Sequence, residues 1–579
     1  MSEHLLDSHR HSLAHLLAMV VLARFPEAKL GIGPVIEDGF YYDFDLGQAK
    51  IGENELASLT RELRELASQK LEFVRLPVNA AAAREQFAHQ PFKLELIDEL
   101  VESKAELTLY QSGDFIDLCK GGHVDSTDAI NPQGIDLTRV AGAYWRGDAK
   151  RPMLTRIYGV YFAEATELAA YHERRRLAEE YDHRKLGREL DLFTFSDLVG
   201  AGLPLFTPKG TFIRDRLASY IQSLQQPLGY QKVNIPHIAK SALYQTSGHY
   251  EKFKDDLFYV KSQSDEFVMK PMNCPHHSQI YASKLRSYRD LPIRYAEITT
   301  CYRDEQPGEL SGLTRVRALT QDDGHAFVRS DQIHAEVMAI YRIIQTVYKT
   351  FQLPLTVRLS LRDPANPGAY LGDDAIWEEA ESSLKLALAE FIEPQTVATG
   401  EAAFYGPKLD FLATDALGRQ WQVATIQLDF NLAERFDLHY TDQTGQAVRP
   451  IVVHRAIYGS IERFMAIILE HLAGNLPTWL SPVQIKLLPV SDKFIEYIES
   501  TLVPSLSQAG IRFEIDYSNE SVGKKIRLGI TEKIPYLAVI GEQEITNQTI
   551  SIRDRASGQN QPYTLAALIA LIQSQEPVN

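Results

Sequence analysis

Cys274 in the run MKPMNCPHH, His325 in QDDGHAF and His454 in IVVHRAIYG bring together one thiol and two imidazoles. Such a set can bind zinc through three ligands and leave a coordination position open to a substrate. The three are dispersed along the chain. On spacing alone they suit a buried cysteine and two satisfied core histidines at least as well. A second group lies nearer the N-terminus. His11 and His15 are four residues apart, which places them on one helix face, and Cys119 and His123 in DLCKGGH add a thiol and a third imidazole. HxxxH with CxxxH is a pattern that can hold a metal; the bland alternative is an ordinary helix with exposed histidines.

These groups need elements to hold them. HSLAHLLAMVVLARF (11–25) has helical apolar spacing, with Asp7 or Ser8 as N-cap. GFYYDFDL (39–46) and MLTRIYGVYF (153–162) alternate as strands. From about 163 to 190 the chain reads as one charge-rich, solvated connecting helix, the first domain boundary. Residues 191–480 carry strand-like runs (FVMKPM, IRYAEITTCYRD, TRVRALTQDD, LTVRLSLR, KLDFLATD, WQVATIQLDF) between helices and tight loops. Such short connections favour an antiparallel sheet. LPTWLSP (476–482) marks a second boundary. Beyond it VQIKLLPV, RFEIDYS, YLAVIGEQEI and TISIRDR alternate with helical stretches such as DKFIEYIESTLVPSLSQ, predicting a small α/β domain.

The 579 residues carry 60 Lys and Arg against 76 Asp and Glu, a net charge of -16, with 45% hydrophobic and 23% charged residues. This is the composition of a multi-domain globular protein, and it argues against a non-specific DNA coater, which needs a broad basic surface. A specific RNA partner on one basic face stays open. Three cysteines cannot form a disulfide framework, so a reducing, cytoplasmic compartment is expected. No signal peptide and no apolar run near ~18 residues is visible, so no membrane is expected.

The text around these residues is specific. TTCYRDEQPGELSGLTRVRALTQDDGHAF (299–327) resembles motif 2 of class II aminoacyl-tRNA synthetases, VVHRAIYGSIERF (452–464) motif 3, and GYQKVNIPHI (229–238), with Pro236, the dimer-forming motif 1. With MKPMNCP, TQDDGH, FYGPKLDF and IQLDF, the resemblance is to threonyl-tRNA synthetases and runs from about residue 9 to about 570. It implies an α/β multi-domain chain: an α+β editing domain (1–165), a linker helix (166–190), an antiparallel-sheet catalytic domain (191–480) and an α/β anticodon-binding domain (481–579). The implied enzyme is a homodimer that makes threonyl-adenylate from L-threonine and ATP with Mg2+, charges tRNA(Thr), and hydrolyses mischarged Ser-tRNA(Thr).

By that resemblance Arg303 grips the α-phosphate, since a planar fork suits phosphate oxygens. Glu305 accepts from the adenine amino group, and Arg315 and Arg463 hold the outer phosphates. Lys408 faces the reacting groups, and His249 lies beside the terminal ribose of tRNA as general base. Zinc on Cys274, His325 and His454 would read the threonine hydroxyl that valine lacks. Asp323 pairs with the substrate ammonium, and Gln321, Tyr405 and Gln427 line the amino-acid site. Serine lacks only a methyl, worth about 1–3 kcal/mol, so a second hydrolytic site is called for. The resemblance assigns it to His11, His15, Lys93, Asp117, Cys119 and His123, positioning water without need of a metal. Asn519, Arg527, Glu544 and Arg553 match positions that read anticodon bases.

Four departures stand out. The small N-terminal ubiquitin-like domain of many members is absent from this chain. Leu319 stands where a phenylalanine usually stacks on adenine. His276 replaces a usual glycine and offers a rival metal ligand. DLCKGGH replaces the commoner Arg-Gly-Pro version of the editing loop. Two rivals are a silent paralogue acting as an RNA-binding regulator, which loss of Arg303, Arg463 or a zinc ligand would favour, and a free-standing editing hydrolase, which needs no 191–480 block.

Overall fold

A computed structural model describes residues 3–148, 150–263 and 265–577. The chain forms two compact units, residues up to Arg176 and residues from Leu177.

In the first unit helix α1 (Glu3–Arg24) buries Leu13, Leu16, Leu17, Val20 and Val21. Its apolar side packs with Phe40, Tyr42 and Phe44 of strand β1 (Gly39–Asp45) in one core. Asp7 and Ser8, expected from the periodicity as N-cap, are not caps. They lie inside α1, because Leu6 also reaches this core and carries the helix back to Glu3. A small three-stranded sheet holds β2 (Thr108–Ser112) and β3 (Phe115–Leu118). β1 pairs antiparallel with β5 (Met153–Tyr161), and β5 with β4 (Ile135–Tyr144).

The expected single connecting helix is two: α2 (Ala165–Glu180) and α3 (His183–Glu189). Asp182 breaks the run by accepting the Arg184 N–H with its own side chain, which starts a new helix.

The larger unit is organised by one eight-stranded sheet. Its strands are β6 (Gln231–Lys232), β7 (Ile293–Tyr302), β8 (Ala318–Val328), β9 (Leu355–Leu361), β10 (Gln395–Thr399), β11 (Lys408–Thr414), β12 (Gln420–Asp429) and β13 (Ile451–Ser460). In space the order is β6-β7-β8-β13-β12-β11-β9-β10. The middle is antiparallel, as the short connections predict, and each edge carries one parallel pairing. FVMKPM is a strand only through Met269, and TRVRALTQDD only from Ala318. One face of the sheet packs on the amphipathic helix Ile333–Thr350 through Ala326, Val328, Ile426 and Val453. The other face carries polar groups.

The C-terminal part has a five-stranded mixed sheet, with Ile485–Pro489 parallel to both neighbours and two antiparallel strands following. YLAVIGEQEI is half strand and half helix. Tyr536–Ile540 pairs in the sheet, whereas Glu542–Asn547 is helical because Glu544 caps the Gly541 N–H.

Candidate functional site

Side chains alternate across a strand, so residues two apart share a face. On β8 this puts Leu319, Gln321, Asp323 and His325 on one side. Register extends the face sideways: His325 lies opposite His454 on β13, His454 opposite Gln427 on β12, and Gln427 opposite Lys408 on β11. His325 and His454, 129 positions apart in sequence, become cross-strand neighbours this way.

Cys274 arrives from above as the first residue of helix α4 (Cys274–Ala282), whose N-terminal dipole favours a thiolate. Its sulfur and one ring nitrogen each from His325 and His454 lie within 4.8 Å of one another, all buried. His325 Nε2 is 3.0 Å from His454 Nδ1, while His454 Nε2 bonds Asp429 Oδ2 at 3.0 Å. Asp429 can only accept, so the His454 proton lies on Nε2 and Nδ1 presents a bare lone pair. Burial, with Asp323 and Asp429 adding to it, pushes the Cys274 thiol up, and burial holds the His325 imidazolium down. A soft sulfur and two neutral nitrogens among carboxylates form a donor set that a zinc ion fits.

His276 does not join this set. Two residues along a helix turn a side chain away. Its ring faces Tyr244, and both its nitrogens are buried without a partner. The neighbours that do join were less visible in sequence. Asp429 orients His454, Asn273 donates to Asp323 at 2.9 Å, and His277 Nδ1 lies 2.8 Å from His325 Nδ1. The parity of Gln427 and Asp429 in IQLDF was the available signal for the first.

Tyr405 stacks on His454 with ring centroids 5.0 Å apart and bonds Gln427. Gln321 accepts from Cys301 Sγ. Lys408 pairs with Asp410 at 3.1 Å. His249 is buried. Its Nδ1 bonds Ser247 Oγ at 2.9 Å, its Nε2 is 3.4 Å from Cys274 Sγ, and burial lowers it to about 3.

At the other end of the same face is a cavity of about 500 Å³ lined by Arg303, Glu305, Arg315, Leu319, Trp421 and Arg463, among others. Arg463 is on the first turn of helix α5 (Ile461–His471), which Ser460 caps by accepting the Arg463 N–H. Glu305 binds Arg315 at 2.7 Å, holding the two loop groups together. Arg303 and Arg463 each carry a buried Nε without any partner. Burial and the nearby Arg315 lower the Arg463 guanidinium. Among the described residues neither guanidinium has a carboxylate partner, Arg303 lying over Phe253 and Arg463 over Trp421, and partly desolvated cations of this kind around a cavity are prepared for an anion.

The first unit holds the other cluster. His11, His15, Cys119 and His123 also place one donor atom each within 4.8 Å. Cys119 Sγ is 3.3 Å from His11 Nε2 and 3.2 Å from His123 Nε2. Ser12 donates to Ser8 O, so His123 Nδ1–H donates to Ser12 Oγ and Nε2 is left as acceptor. Lys93 and Asp117 form a buried ion pair at 2.5 Å, with Tyr42 OH bonded to both. Gly121 has φ +104°, and a Cβ there would meet Tyr110 OH at 2.7 Å, so this loop position requires glycine.

The four anticodon-reading expectations come from four elements, and among the described residues no hydrogen bond or ion pair joins them. Asn519 and Arg527 are exposed, Glu544 is engaged as a cap, and Arg553 reaches Asn560.

An antiparallel sheet with a donor set and an arginine-lined cavity on one face is the catalytic frame of a class II aminoacyl-tRNA synthetase. Residues 257–472 match the tRNA synthetase class II core domain (G, H, P, S and T), residues 484–575 the anticodon binding domain, and residues 107–158 the threonyl and alanyl tRNA synthetase second additional domain. The threonine--tRNA ligase of Gloeobacter violaceus is 48% identical over 577 residues, covering 98% of this chain and 91% of that protein. That of Synechococcus elongatus is 45% identical over 576 residues, covering 98% and 94%. A solved structure of the RNA binding domain of threonyl-tRNA synthetase from Cryptosporidium parvum aligns with TM-score 0.66 and 38% identity, over 69% of this chain and 99% of that one. The chain belongs to the threonyl-tRNA synthetase family.

Proposed function

We propose that the chain activates L-threonine with ATP, transfers it to tRNA(Thr), and hydrolyses Ser-tRNA(Thr). The observation that carries the first step is the pair of orphaned buried guanidinium nitrogens on Arg303 and Arg463 around the cavity. ATP, with its magnesium, places its α-phosphate at Arg303 and its outer phosphates at Arg315 and Arg463. Leu319 and Trp421 flank the base, and Glu305 accepts from its amino group. A carboxylate oxygen of threonine attacks the α-phosphorus, and the bond to the bridging oxygen breaks. Pyrophosphate leaves with the electron pair, its charge met by the arginines. Lys408 faces the reacting carboxylate. The ribose hydroxyl of tRNA then attacks the adenylate carbonyl, AMP departs, and His249, neutral because it is buried, is the group assigned to receive the proton.

Asp323 holds the substrate ammonium, with Gln321, Tyr405 and Gln427 around the side chain. Cys274, His325 and His454 would hold zinc, which would supply an open Lewis-acid position for the amino group and hydroxyl that valine cannot fill.

In the first unit Cys119, His11, His15 and His123 position water against the seryl ester. The carbon–oxygen bond to the ribose breaks, and the departing oxygen takes a proton. Lys93, Asp117 and Tyr42 hold the wall of this site. Asn519, Arg527, Glu544 and Arg553 read the anticodon, and the segment 229–238 joins two copies in a dimer. The divisions 1–165, 166–190, 191–480 and 481–579 are the proposed domains. Among the described residues no helix is long and apolar enough to cross a membrane.

The testing experiment is Arg303→Ala and Arg463→Ala in threonine-dependent ATP–pyrophosphate exchange. Loss of about 10²-fold or more in both is expected. Exchange at the wild-type rate in either would remove that arginine from the mechanism.

A further inference from the structure

Beneath the catalytic donor set lies a buried pair that none of these roles uses. His277 is wholly buried and Glu297 nearly so. His277 Nδ1 is 2.8 Å from His325 Nδ1, and His277 Nε2 is 3.9 Å from Glu297 Oε2. Both of those last two atoms are buried and neither has a hydrogen-bond partner, so each is the nearest group of opposite character to the other. Glu297 Oε1 is already committed, accepting from Ile235 N at 3.1 Å and Asn234 Nδ2 at 3.3 Å.

Proton accounting gives this arrangement a direction. Two Nδ1 atoms 2.8 Å apart share one proton, so one ring donates and the other accepts. With no ion bound, the bare His454 Nδ1 at 3.0 Å draws the His325 proton to Nε2, whereas toward a zinc ion His325 can offer a lone pair on Nε2 only if its proton is on Nδ1, given to His277. His277 then carries its own proton on Nε2, the atom that faces the carboxylate. We propose that Glu297 and His277 are positioning residues that fix the tautomer of His325, so that its Nε2 faces the donor set unprotonated. This rests on the reading that Cys274, His325 and His454 hold zinc. Glu297 is anchored by Asn234 and Ile235, so the relay also ties the metal site to the 229–238 segment.

The test measures zinc affinity of the full-length protein by competition with a chromophoric chelator, beside the melting temperature of the zinc-free form. His277→Phe removes the acceptor and is expected to weaken zinc about 10–100-fold. His277→Asn keeps an oxygen near the Nδ1 place and is expected to stay within a few-fold of wild type. Glu297→Gln is the sharper variant. Its oxygen must still accept the Ile235 N–H, so its amide nitrogen faces His277 and reverses the proton order, and zinc should weaken about 10-fold with little change in melting. Unaltered affinity in both His277→Phe and Glu297→Gln overturns the inference, as does equal weakening by His277→Phe and His277→Asn, which would indicate packing. A wild-type protein without zinc affinity instead removes the zinc reading itself, and this inference with it.

Discussion

At Cys274 a sulfur and two ring nitrogens stand beside two carboxylates, Asp323 and Asp429, and the far nitrogen of each ligand imidazole is held by another side chain. At Cys119 the donors are as close, but the nearest carboxylate, Asp117, is taken by Lys93 and Tyr42. His123 is steadied there by a serine hydroxyl and by Phe73 stacked at 4.8 Å. The first cluster has uncompensated negative charge to offer a cation. The second has an ammonium close by and no free carboxylate, while burial pushes the thiol up at both clusters. Similar donor sets thus sit in different surroundings, which is the ground for the proposed division of labour: an ion that reads a hydroxyl at the first, water held against an ester at the second.

The comparison breaks most visibly at Cys274. Cys274→Ser should lower threonine-dependent pyrophosphate exchange at least ~10³-fold and leave deacylation of Ser-tRNA(Thr) unchanged; equal loss of both activities would mean the clusters are not independent. Lys93→Met leaves Asp117 buried and unpaired, at a cost of about 3–5 kcal/mol to the first unit. Hydrogen exchange should show α1 opening more often while the large sheet is unaffected, and unchanged protection of α1 would contradict the pair's buried geometry. His11→Ala should slow deacylation about 10²-fold with exchange intact; a wild-type deacylation rate would remove His11 from the hydrolytic site.

Acid sharpens the contrast. Burial lowers His11, His15 and His123 from 6.5, the last to about 2. The unfolded chain binds these protons below about pH 6.5 and the folded unit does not, so stability is full above 6.5 and declines as the pH falls toward 2. Added zinc should not prevent this decline in α1, whereas it should protect the large sheet; equal protection of both would erase the distinction. The smallest effect is at Leu319. Leu319→Phe adds stacking worth about 0.5–1.5 kcal/mol and should lower the KM for ATP a few-fold at constant kcat; a raised KM would show that the aliphatic side chain fits the base better.

Much of this architecture is written locally. Short strand-like runs such as KLDFLATD and WQVATIQLDF fold as strands covered on both faces, and short connections make them antiparallel. Places where a side chain caps the backbone were harder to read. Asp182 splits a continuous charge pattern into two helices, and Glu544 turns the end of an apparent strand into a helix. The meeting of His325 with His454 is a fact of register between β8 and β13, which no spacing in sequence encodes. Asp429 was legible once Gln427 was placed, because parity puts the two on one face. His276 and His277 are adjacent in sequence, and only the helix register decides that His277 reaches His325 while His276 faces Tyr244.

The central claim is that a cation held by Cys274, His325 and His454 lets this enzyme choose a hydroxyl over a methyl. Pyrophosphate exchange should be run with threonine, serine and valine on one preparation, before and after zinc is stripped and restored. The account predicts strong exchange with threonine, weaker with serine and almost none with valine, all abolished on stripping and recovered with zinc. Valine exchange approaching that of threonine, or threonine exchange that persists in fully stripped protein, would contradict it.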